Sequence, residues 1–171
     1  MALIIELRGI KPIFGENCFF AENSTIVGDV VMGNECSVWF NAVVRGDVNT
    51  IRIGNKVNIQ DGAIVHVTYK KAPTVIGNNV SIAHNAIVHG CTIHDNVLIG
   101  MGAIIMDGVI IHSNCVIAAG AVVSENTIIE EGSVYAGIPA KKIKNVDPSL
   151  VVGQIERIAN SYTMYASWYK E

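Results

Sequence analysis

The chain has 171 residues, of which half are apolar and 16% are charged, and its formal net charge is −3. This length suits one domain of ordinary size, and the apolar content excludes an intrinsically disordered chain. The small negative charge offers no basic surface, so we do not expect nucleic acid as a partner.

The mean hydropathy of +0.39 is high, but the pattern argues against a membrane protein. The longest stretch without Asp, Glu, Lys or Arg, residues 72–94, holds three Asn and three His. No lipid-exposed segment carries so many polar side chains. The apolar run at the N-terminus is too short for a signal peptide and is interrupted by Glu6 and Arg8. We therefore expect a cytoplasmic protein without membrane contact.

Residues 1–140 are predicted to form a parallel β-helix. Ile and Val together number 47, whereas Leu occurs four times, and β-branched side chains favour strands. An apolar or aromatic residue recurs at every sixth position at Ile93, Ile99, Ile105, Ile111, Ile117, Val123, Ile129 and Tyr135. A period of six fits neither a helix nor one long strand. It fits short strands with a turn every six residues, three strands to an 18-residue coil.

One corner of this β-helix sets the coil register. Asn, Asp and Gly recur there, and these residues tolerate the backbone angles of tight turns. The coils then start at Phe14, Met32, Ile53, Ile76, Ile93, Ile111 and Ile129, which makes about seven coils. Two intervals, 21 and 23 residues long, predict insertions near residues 47–50 and 67–73.

Residues 141–171 are predicted to form a linker and a C-terminal helix packed on the β-helix. Asp147 and Pro148 have the pattern of an N-cap followed by Pro at the first helical position. An apolar face at helical spacing, predicted to pack on a wall of the β-helix, consists of Val151, Ile155, Ile158, Tyr162, Tyr165 and Tyr169.

The register places two histidines together. Val65 and Val88 are equivalent positions in successive coils, so His66 and His89 are predicted to be stacked about 4.8 Å apart. At that separation both imidazoles can reach one metal ion at Zn–N distances of about 2.0–2.1 Å. Arg45 precedes them in the same column.

A third histidine, His84, aligns with Asp61 and Phe40 and should face away from the pair in its own chain. A neighbouring chain could supply it in a three-fold assembly, giving three identical sites with three nitrogen ligands and an open fourth position. His94 and His112 are interpreted as turn residues.

Several segments together resemble one known family: NAVVRGD at 41–47, NIQD at 58–61, His66, IAHNAIVHGC at 82–91, IGMGA at 99–103 and GIPAK at 137–141. Over nearly its whole length the chain resembles the γ-class carbonic anhydrase-like proteins. The resemblance implies a left-handed β-helix and a homotrimer with interfacial metal sites, each formed by His66 and His89 of one chain and His84 of its neighbour. The metal implied is Zn²⁺, with Fe²⁺ or Co²⁺ as alternatives, because three imidazoles discriminate weakly among them.

The activity implied by the resemblance is the reversible hydration of CO₂ to bicarbonate by a zinc-bound hydroxide. Gln60 is expected to orient the hydroxide or the substrate, because an amide both donates and accepts hydrogen bonds. Asn58 is expected to help hold the substrate. Tyr162 corresponds to the family's active-site tyrosine, with a packing role as the alternative.

The resemblance also implies a charged network that fixes the wall carrying the ligands. Arg45 and Asp61 are expected to form a charge-assisted pair across the subunit interface, joined by Asp47.

The chain departs from the family's prototype where that enzyme carries acidic proton-shuttle residues. Val48 follows Asp47 where the prototype has a glutamate, and residues 68–73 are basic where the prototype is acidic. Because each new metal-bound water must lose a proton, we expect turnover to be slow or dependent on buffer.

Two other functions remain open. One is an acyl- or acetyl-CoA transferase, or a thioesterase-like protein, on the same scaffold, which would use a single histidine as general base. The other is a trimeric metal-binding scaffold with weak or no catalysis.

The cysteines do not suggest a thiolate site. Cys18, Cys36 and Cys115 occupy inward positions that are expected to be buried, and Cys91 is at most a neighbour of the metal ligands.

Overall fold

The computed structural model describes residues 1–147, 149 and 151–169, without the side chains of residues 151 and 152. Its strands form an 8-stranded and a 12-stranded sheet, and all pairings but one are parallel. The 12-stranded sheet supplies two walls of a three-sided prism, joined by the long strands β4 (Thr25–Met32) and β6 (Val43–Ile53). The 8-stranded sheet supplies the remaining wall.

Each wall is a column of short strands from successive coils. The first wall, which includes the ends of β4 and β6, consists of β2 (Ile13–Phe14), β9 (Thr74–Ile76), β12 (Thr92–Ile93), β15 (Ile110–Ile111) and β18 (Ile128–Ile129). The second wall consists of β3 (Phe19–Phe20), β5 (Ser37–Val38), β7 (Asn58–Ile59), β10 (Ser81–Ile82), β13 (Leu98–Ile99), β16 (Val116–Ile117), β19 (Ser133–Ala136) and β20 (Lys141–Asn145). The third wall, which includes the starts of β4 and β6, consists of β1 (Leu3–Ile5), β8 (Ile64–His66), β11 (Ile87–His89), β14 (Ile104–Ile105) and β17 (Val122–Val123).

The predicted coil register is confirmed. The seven residues chosen as coil starts pair with one another in sequence from Phe14 to Ile129. The residues of the six-residue period are buried and fill the interior of the prism, which is a continuous apolar core. The prediction of a parallel β-helix of hexapeptide coils with a C-terminal helix is therefore confirmed.

Asparagines hold one edge of the prism. The Oδ1 atom of Asn55 accepts the Asn34 N–H at 2.8 Å, and that of Asn78 accepts the Asn55 N–H at 2.9 Å. Asp95 Oδ1 continues the ladder by accepting the Asn78 N–H at 2.7 Å. Each side chain thus satisfies a backbone donor of the preceding coil, which explains why Asn and Asp, with an Oδ1 acceptor, recur at this corner.

The chain ends in a helix, α1 (Arg157–Ser167), which follows a π-helical segment, Val151–Glu156. Asp147 accepts the Ser149 N–H at 2.9 Å, as an N-cap would, and the predicted Pro148 position lies outside the described residues. The most deeply buried residues of α1 are Ala159 and Ala166, whereas Tyr162 and Tyr165 are half-buried. Ile155 of the predicted face is also buried, and Tyr162 and Tyr165 pack beside Ala166 against Phe19 and Trp39, so both the predicted face and small side chains take part in the packing.

One strand of the structure was not predicted from the sequence. Residues predicted to lie in a linker include β20, which pairs antiparallel with β19 and is exposed along its length. Among the described residues, no helix is long and apolar enough to cross a membrane.

Candidate metal centre

Two histidines are paired across neighbouring coils, as their register predicted. His66 ends β8, His89 ends β11, and the two are register partners. Their ring centroids lie 5.0 Å apart. His66 Nδ1 and His89 Nε2 face each other at 3.0 Å.

A carboxylate holds the outer nitrogen of each ring. His66 Nε2 lies 3.0 Å from Asp47 Oδ1, and His89 Nδ1 lies 2.6 Å from Asp107 Oδ1. Because an ionised carboxylate only accepts hydrogen bonds, each outer nitrogen carries the proton. In the neutral tautomers this leaves a lone pair on each of the two facing nitrogens.

This donor set fits a metal ion. Two nitrogen lone pairs at 3.0 Å repel each other unless a proton or a cation lies between them. Nitrogens bound to one tetrahedral zinc at 2.0–2.1 Å lie about 3.3 Å apart. Carboxylates on the outer nitrogens are the usual support of metal-binding histidines. Both imidazoles are thus fixed in orientation with their free nitrogens converging.

The electrostatics of the pair favour the neutral, ligating form of His66. The pKa of His66 is lowered, first by burial and then by the positive charge of Arg45, although the nearby Asp47 carboxylate acts to raise it. Burial alone would raise the pKa of Asp47, but hydrogen bonds from His66 and Arg45 hold it below its ordinary value. A neutral imidazole beside an ionised carboxylate is the protonation state that metal binding requires.

Asp107 is the residue that the sequence analysis missed. Its Oδ2 accepts the Thr68 hydroxyl at 2.5 Å, and the pKa of Asp107 is lowered by the hydrogen bonds from Thr68 and His89 in spite of partial burial. Thr68 belongs to the 67–73 insertion, and its carbonyl accepts the Asn49 side-chain amide at 3.1 Å. The two insertions thus meet behind the histidine pair and support it. Val88 pairs with Ile105, so Asp107 lies one coil and one residue beyond His89, and this proximity was the available signal.

His84 lies elsewhere, as predicted. It occupies the corner between the second and third walls, where its Nδ1 lies 3.0 Å from Asp61 Oδ2. His84 precedes His89 by five residues along the third wall, which separates them by roughly 15 Å. Within the described part of one chain, no cluster of three His, Cys, Asp or Glu side chains could hold a metal ion.

The charged residues of the predicted network pair differently inside one chain. Arg45 forms an ion pair with Asp47, and Asp61 is bound to His84. The pair between Arg45 and Asp61 was predicted between subunits and stays a prediction.

Gln60 and Asn58 form a buried polar chain on the second wall. Gln60 Nε2 donates to Asn58 Oδ1 at 2.9 Å, and Asn58 Nδ2 donates to Ser81 Oγ at 2.8 Å. Gln60 is 4% exposed. Asn58 lies in β7 and Gln60 follows it, directly before the Asp61 corner, so these side chains approach the corner that carries His84 and not the histidine pair on the third wall.

Tyr162 of α1 lies near the same corner. Its ring packs edge-on against Trp39 at a centroid distance of 5.2 Å. Burial and the negative charge of Asp61 raise the pKa of Tyr162 to about 12. It is therefore a neutral hydrogen-bond donor at physiological pH.

The remaining histidines and cysteines lie apart from this centre. His94 and His112 are exposed at a turn and stack at a centroid distance of 5.2 Å. Cys36 and Cys115 are buried in the core as predicted, whereas Cys18 is half-buried. Burial also raises the pKa of Cys91 to about 12, so its thiol is not ionised.

Comparison with known proteins agrees with the fold. The family described as Bacterial transferase hexapeptide (six repeats) matches residues 73–105 and 90–125. A carbonic anhydrase from Geobacillus kaustophilus is 44% identical over 98% of this chain and 91% of its own length. The chain belongs to the γ-carbonic anhydrase-like family.

One further relative and one solved structure are also similar to this chain. Gamma carbonic anhydrase 1, a mitochondrial protein of Arabidopsis thaliana, is 41% identical over 91% of the chain, which spans 57% of that relative's length. The solved structure of a Bacillus cereus protein described as a candidate acetyltransferase is 37% identical, with a TM-score of 0.94, covering 99% of this chain and 97% of that one. The γ-carbonic anhydrase-like fold is therefore shared by chains with different assigned chemistry.

Proposed function

We propose that the protein is a metal-dependent hydratase that interconverts CO₂ and bicarbonate at sites between the subunits of a homotrimer. Each site takes His66 and His89 from one chain and His84 from the next. Zn²⁺ is the metal we propose, with Fe²⁺ or Co²⁺ as alternatives that suit the same ligands. Family membership supports the carbonic anhydrase-like activity and a metal cofactor.

One observation carries this proposal: the facing nitrogens of His66 and His89, each on a ring whose other nitrogen is bound to a carboxylate. General-base catalysis needs one such imidazole, whereas a metal centre needs several whose nitrogens converge. The third ligand cannot come from the same chain because His84 lies across the third wall. A neighbouring copy related by three-fold symmetry supplies it in this proposal.

His66 and His89 of one chain and His84 of the next would hold the metal ion, which would supply hydroxide near neutral pH for attack on CO₂. The chain's own residues do the remaining work. Asp47 and Asp107 keep His66 and His89 in the ligating tautomer. Asp61 does the same for His84, because its carboxylate binds Nδ1 and leaves Nε2 free.

The second wall contributes the polar groups that meet the substrate. Gln60 orients the attacking oxygen, and Asn58 holds Gln60 in place through their hydrogen bond. Tyr162 of α1 donates a hydrogen bond from its hydroxyl to an oxygen of the substrate. Since Val48 replaces the shuttle glutamate and residues 68–73 are basic, protons leave slowly, and turnover depends on buffer.

Metal analysis combined with CO₂ hydration tests this proposal. We expect protein purified without chelator to contain about one metal ion per chain, and stopped-flow hydration in concentrated buffer to exceed the uncatalysed rate. His84→Ala should abolish both metal binding and activity. His112→Ala removes an exposed histidine outside the centre and serves as the matched control.

Protein that contains no metal, or His84→Ala protein with an unchanged metal content, would contradict the proposed centre. A full metal content without any hydration, at every buffer concentration, would instead support the catalytically weak scaffold. The two results differ in the metal measurement, so the site and the reaction are tested separately.

An acyl- or acetyl-CoA transferase is the second candidate function. The likeness to the Bacillus cereus structure favours it. A transferase that uses one histidine as general base retains activity after treatment with a chelator, whereas the hydratase loses it. Acetyl transfer from acetyl-CoA, assayed before and after chelation, distinguishes the two.

A further inference from the structure

The first two coils of the prism each carry a cysteine at the same inward position. Phe19 of β3 and Ser37 of β5 are register partners, and the Phe19 N–H donates to the Cys36 carbonyl at 2.9 Å. Cys18 and Cys36 directly precede these two residues, so they are neighbours on adjacent coils. Cys36 belongs to the apolar core, and Cys18 packs against that core.

The two thiols are held in the same way. The Cys18 thiol donates to the Gly33 carbonyl at 3.2 Å, and the Cys36 thiol donates to the Gly54 carbonyl at 3.1 Å. A hydrogen bond with the Cys18 thiol, and then burial, raise the pKa of Cys36 well above its ordinary value. The two sulfurs therefore lie side by side at the corner between the first and second walls.

The spacing of the coils permits a disulfide here. Neighbouring strands lie about 4.8 Å apart, and disulfides join residues whose Cα atoms are about 4.4–6.8 Å apart. The Cβ atoms of a disulfide prefer a separation of about 3.8 Å, so closing the bond must draw the two coils together. A disulfide under such strain is easily reduced, which makes it reversible.

The two cysteines differ in access to solvent. Cys18 is half-buried in the first coil, at the end of the prism, whereas Cys36 is 1% exposed. A small oxidant can therefore reach the Cys18 sulfur first. The Cys36 thiol, buried and with a raised pKa, is slow to react with an oxidant from solution but lies next to whatever forms on Cys18.

We propose that Cys18 and Cys36 are a peroxide-sensitive pair that closes a reversible disulfide between the first two coils. The Cys18 sulfur attacks hydrogen peroxide, the O–O bond breaks, and a sulfenic acid and one water are formed. The Cys36 sulfur then attacks the Cys18 sulfur. The S–S bond forms as the S–O bond breaks, and the leaving hydroxide takes the Cys36 proton as a second water.

In sum, both sulfurs are oxidised and one peroxide is reduced. This modification site goes beyond the proposed hydratase activity and does not depend on it.

Mass spectrometry of the intact, folded protein tests the inference. After treatment with a few equivalents of hydrogen peroxide, we expect each chain to lose two hydrogens, about 2 Da, and a peptide map to join Cys18 to Cys36. Dithiothreitol should restore the original mass. A chelator is present throughout, so metal-catalysed oxidation at the proposed centre cannot imitate the result, and the state of that centre does not affect it.

Two variants assign the roles of the cysteines. Cys36→Ser should lose no hydrogens and should leave a sulfenic acid on Cys18, which dimedone traps as an adduct. Cys115 is the matched control, because it occupies the same inward position further along the prism with Val97 and Ser133 as its register neighbours. Cys115→Ser should form the disulfide between Cys18 and Cys36 at the unchanged rate. Circular dichroism confirms that each variant is folded.

The decisive measurement is made on the unmodified chain, so it does not depend on how well a variant folds. Oxidation of Cys18 to a sulfinic acid while Cys36 remains a thiol would overturn the inference. A disulfide that joins any other cysteines, or four thiols that survive the peroxide treatment, would overturn it equally.

Discussion

Asp107 shows how a residue outside the ligand set can control it. The carboxylate fixes His89 through Nδ1 and is itself fixed by Thr68. Asp107→Asn should therefore lower the affinity for zinc by about 10- to 100-fold, because the amide no longer holds the ligating tautomer as firmly. Competition with a chromophoric chelator measures this change directly, without reference to activity.

The control for Asp107→Asn is Asp95→Asn, which removes the same charge from the asparagine ladder while keeping the Oδ1 acceptor. Its zinc affinity should equal that of the unmodified protein. If Asp107→Asn binds zinc equally well, the carboxylate is a structural partner of the loop and not a support of the metal ligand.

Tyr162 is expected to make the stability of the folded chain depend on pH, and the direction follows from its pKa. Its pKa is about 12 in the folded chain, whereas a tyrosine in the unfolded chain ionises near pH 10. The unfolded state thus loses its proton first, so the stability from this residue is complete below pH 10 and declines as the pH rises towards 12. We expect a loss of at most about 1 kcal/mol between pH 10 and 11.

Denaturant unfolding at these two pH values measures the contribution of Tyr162. The Tyr162→Phe variant has no phenol to ionise at this position, so it should lose less stability between pH 10 and 11 than the unmodified chain does. The exposed Tyr69, changed to Phe, is the control and should behave like the unmodified chain. An equal pH dependence in all three proteins would argue that Tyr162 is freely hydrated.

At the scale of single elements, α1 packs most closely on the β-helix where its side chain is small. Ala166 is 4% exposed and lies in one apolar cluster with Phe19, Ala21 and Trp39. Ala166→Leu overfills this contact and should destabilise the protein by about 1–3 kcal/mol, seen as a lower thermal midpoint and a shifted tryptophan emission. Met164→Leu conserves volume at an exposed position of the same helix and should change neither. An unchanged midpoint for Ala166→Leu would mean that α1 is loosely attached.

The elements differ in how far the sequence could predict them. The β-helix was predictable because a six-residue period leaves few alternatives, and once its register was set, the pairing of His66 with His89 followed. The strand β20 could not be predicted, because it runs antiparallel to its neighbour and its KKIKN sequence lacks an apolar face. The same holds for the Asp107 contact with Thr68, which depends on the path of an insertion that no repeat constrains.

Across the whole molecule, the candidate centre is divided into two half-sites on different parts of the prism. One half-site, on the third wall, holds His66 and His89 with their carboxylates. The other, at the corner between the second and third walls, holds His84, Asp61 and the nearby Gln60. In the proposed trimer neither half is complete within one chain, so the proposed function requires assembly, and a closed three-fold ring uses every half-site once.

This division makes a quantitative prediction for mixed trimers. Chains carrying His66→Ala lack the first half-site, and chains carrying His84→Ala lack the second, so each pure protein should bind no catalytic metal. In a random 1:1 mixture, every heterotrimer regains one intact site of three, which restores about one quarter of the metal content and activity. Mixing His66→Ala with His89→Ala damages the same half-site in both chains and should restore nothing. Equal outcomes in the two mixtures, after subunit exchange has been verified by mass spectrometry, would show that the three histidines do not meet across an interface.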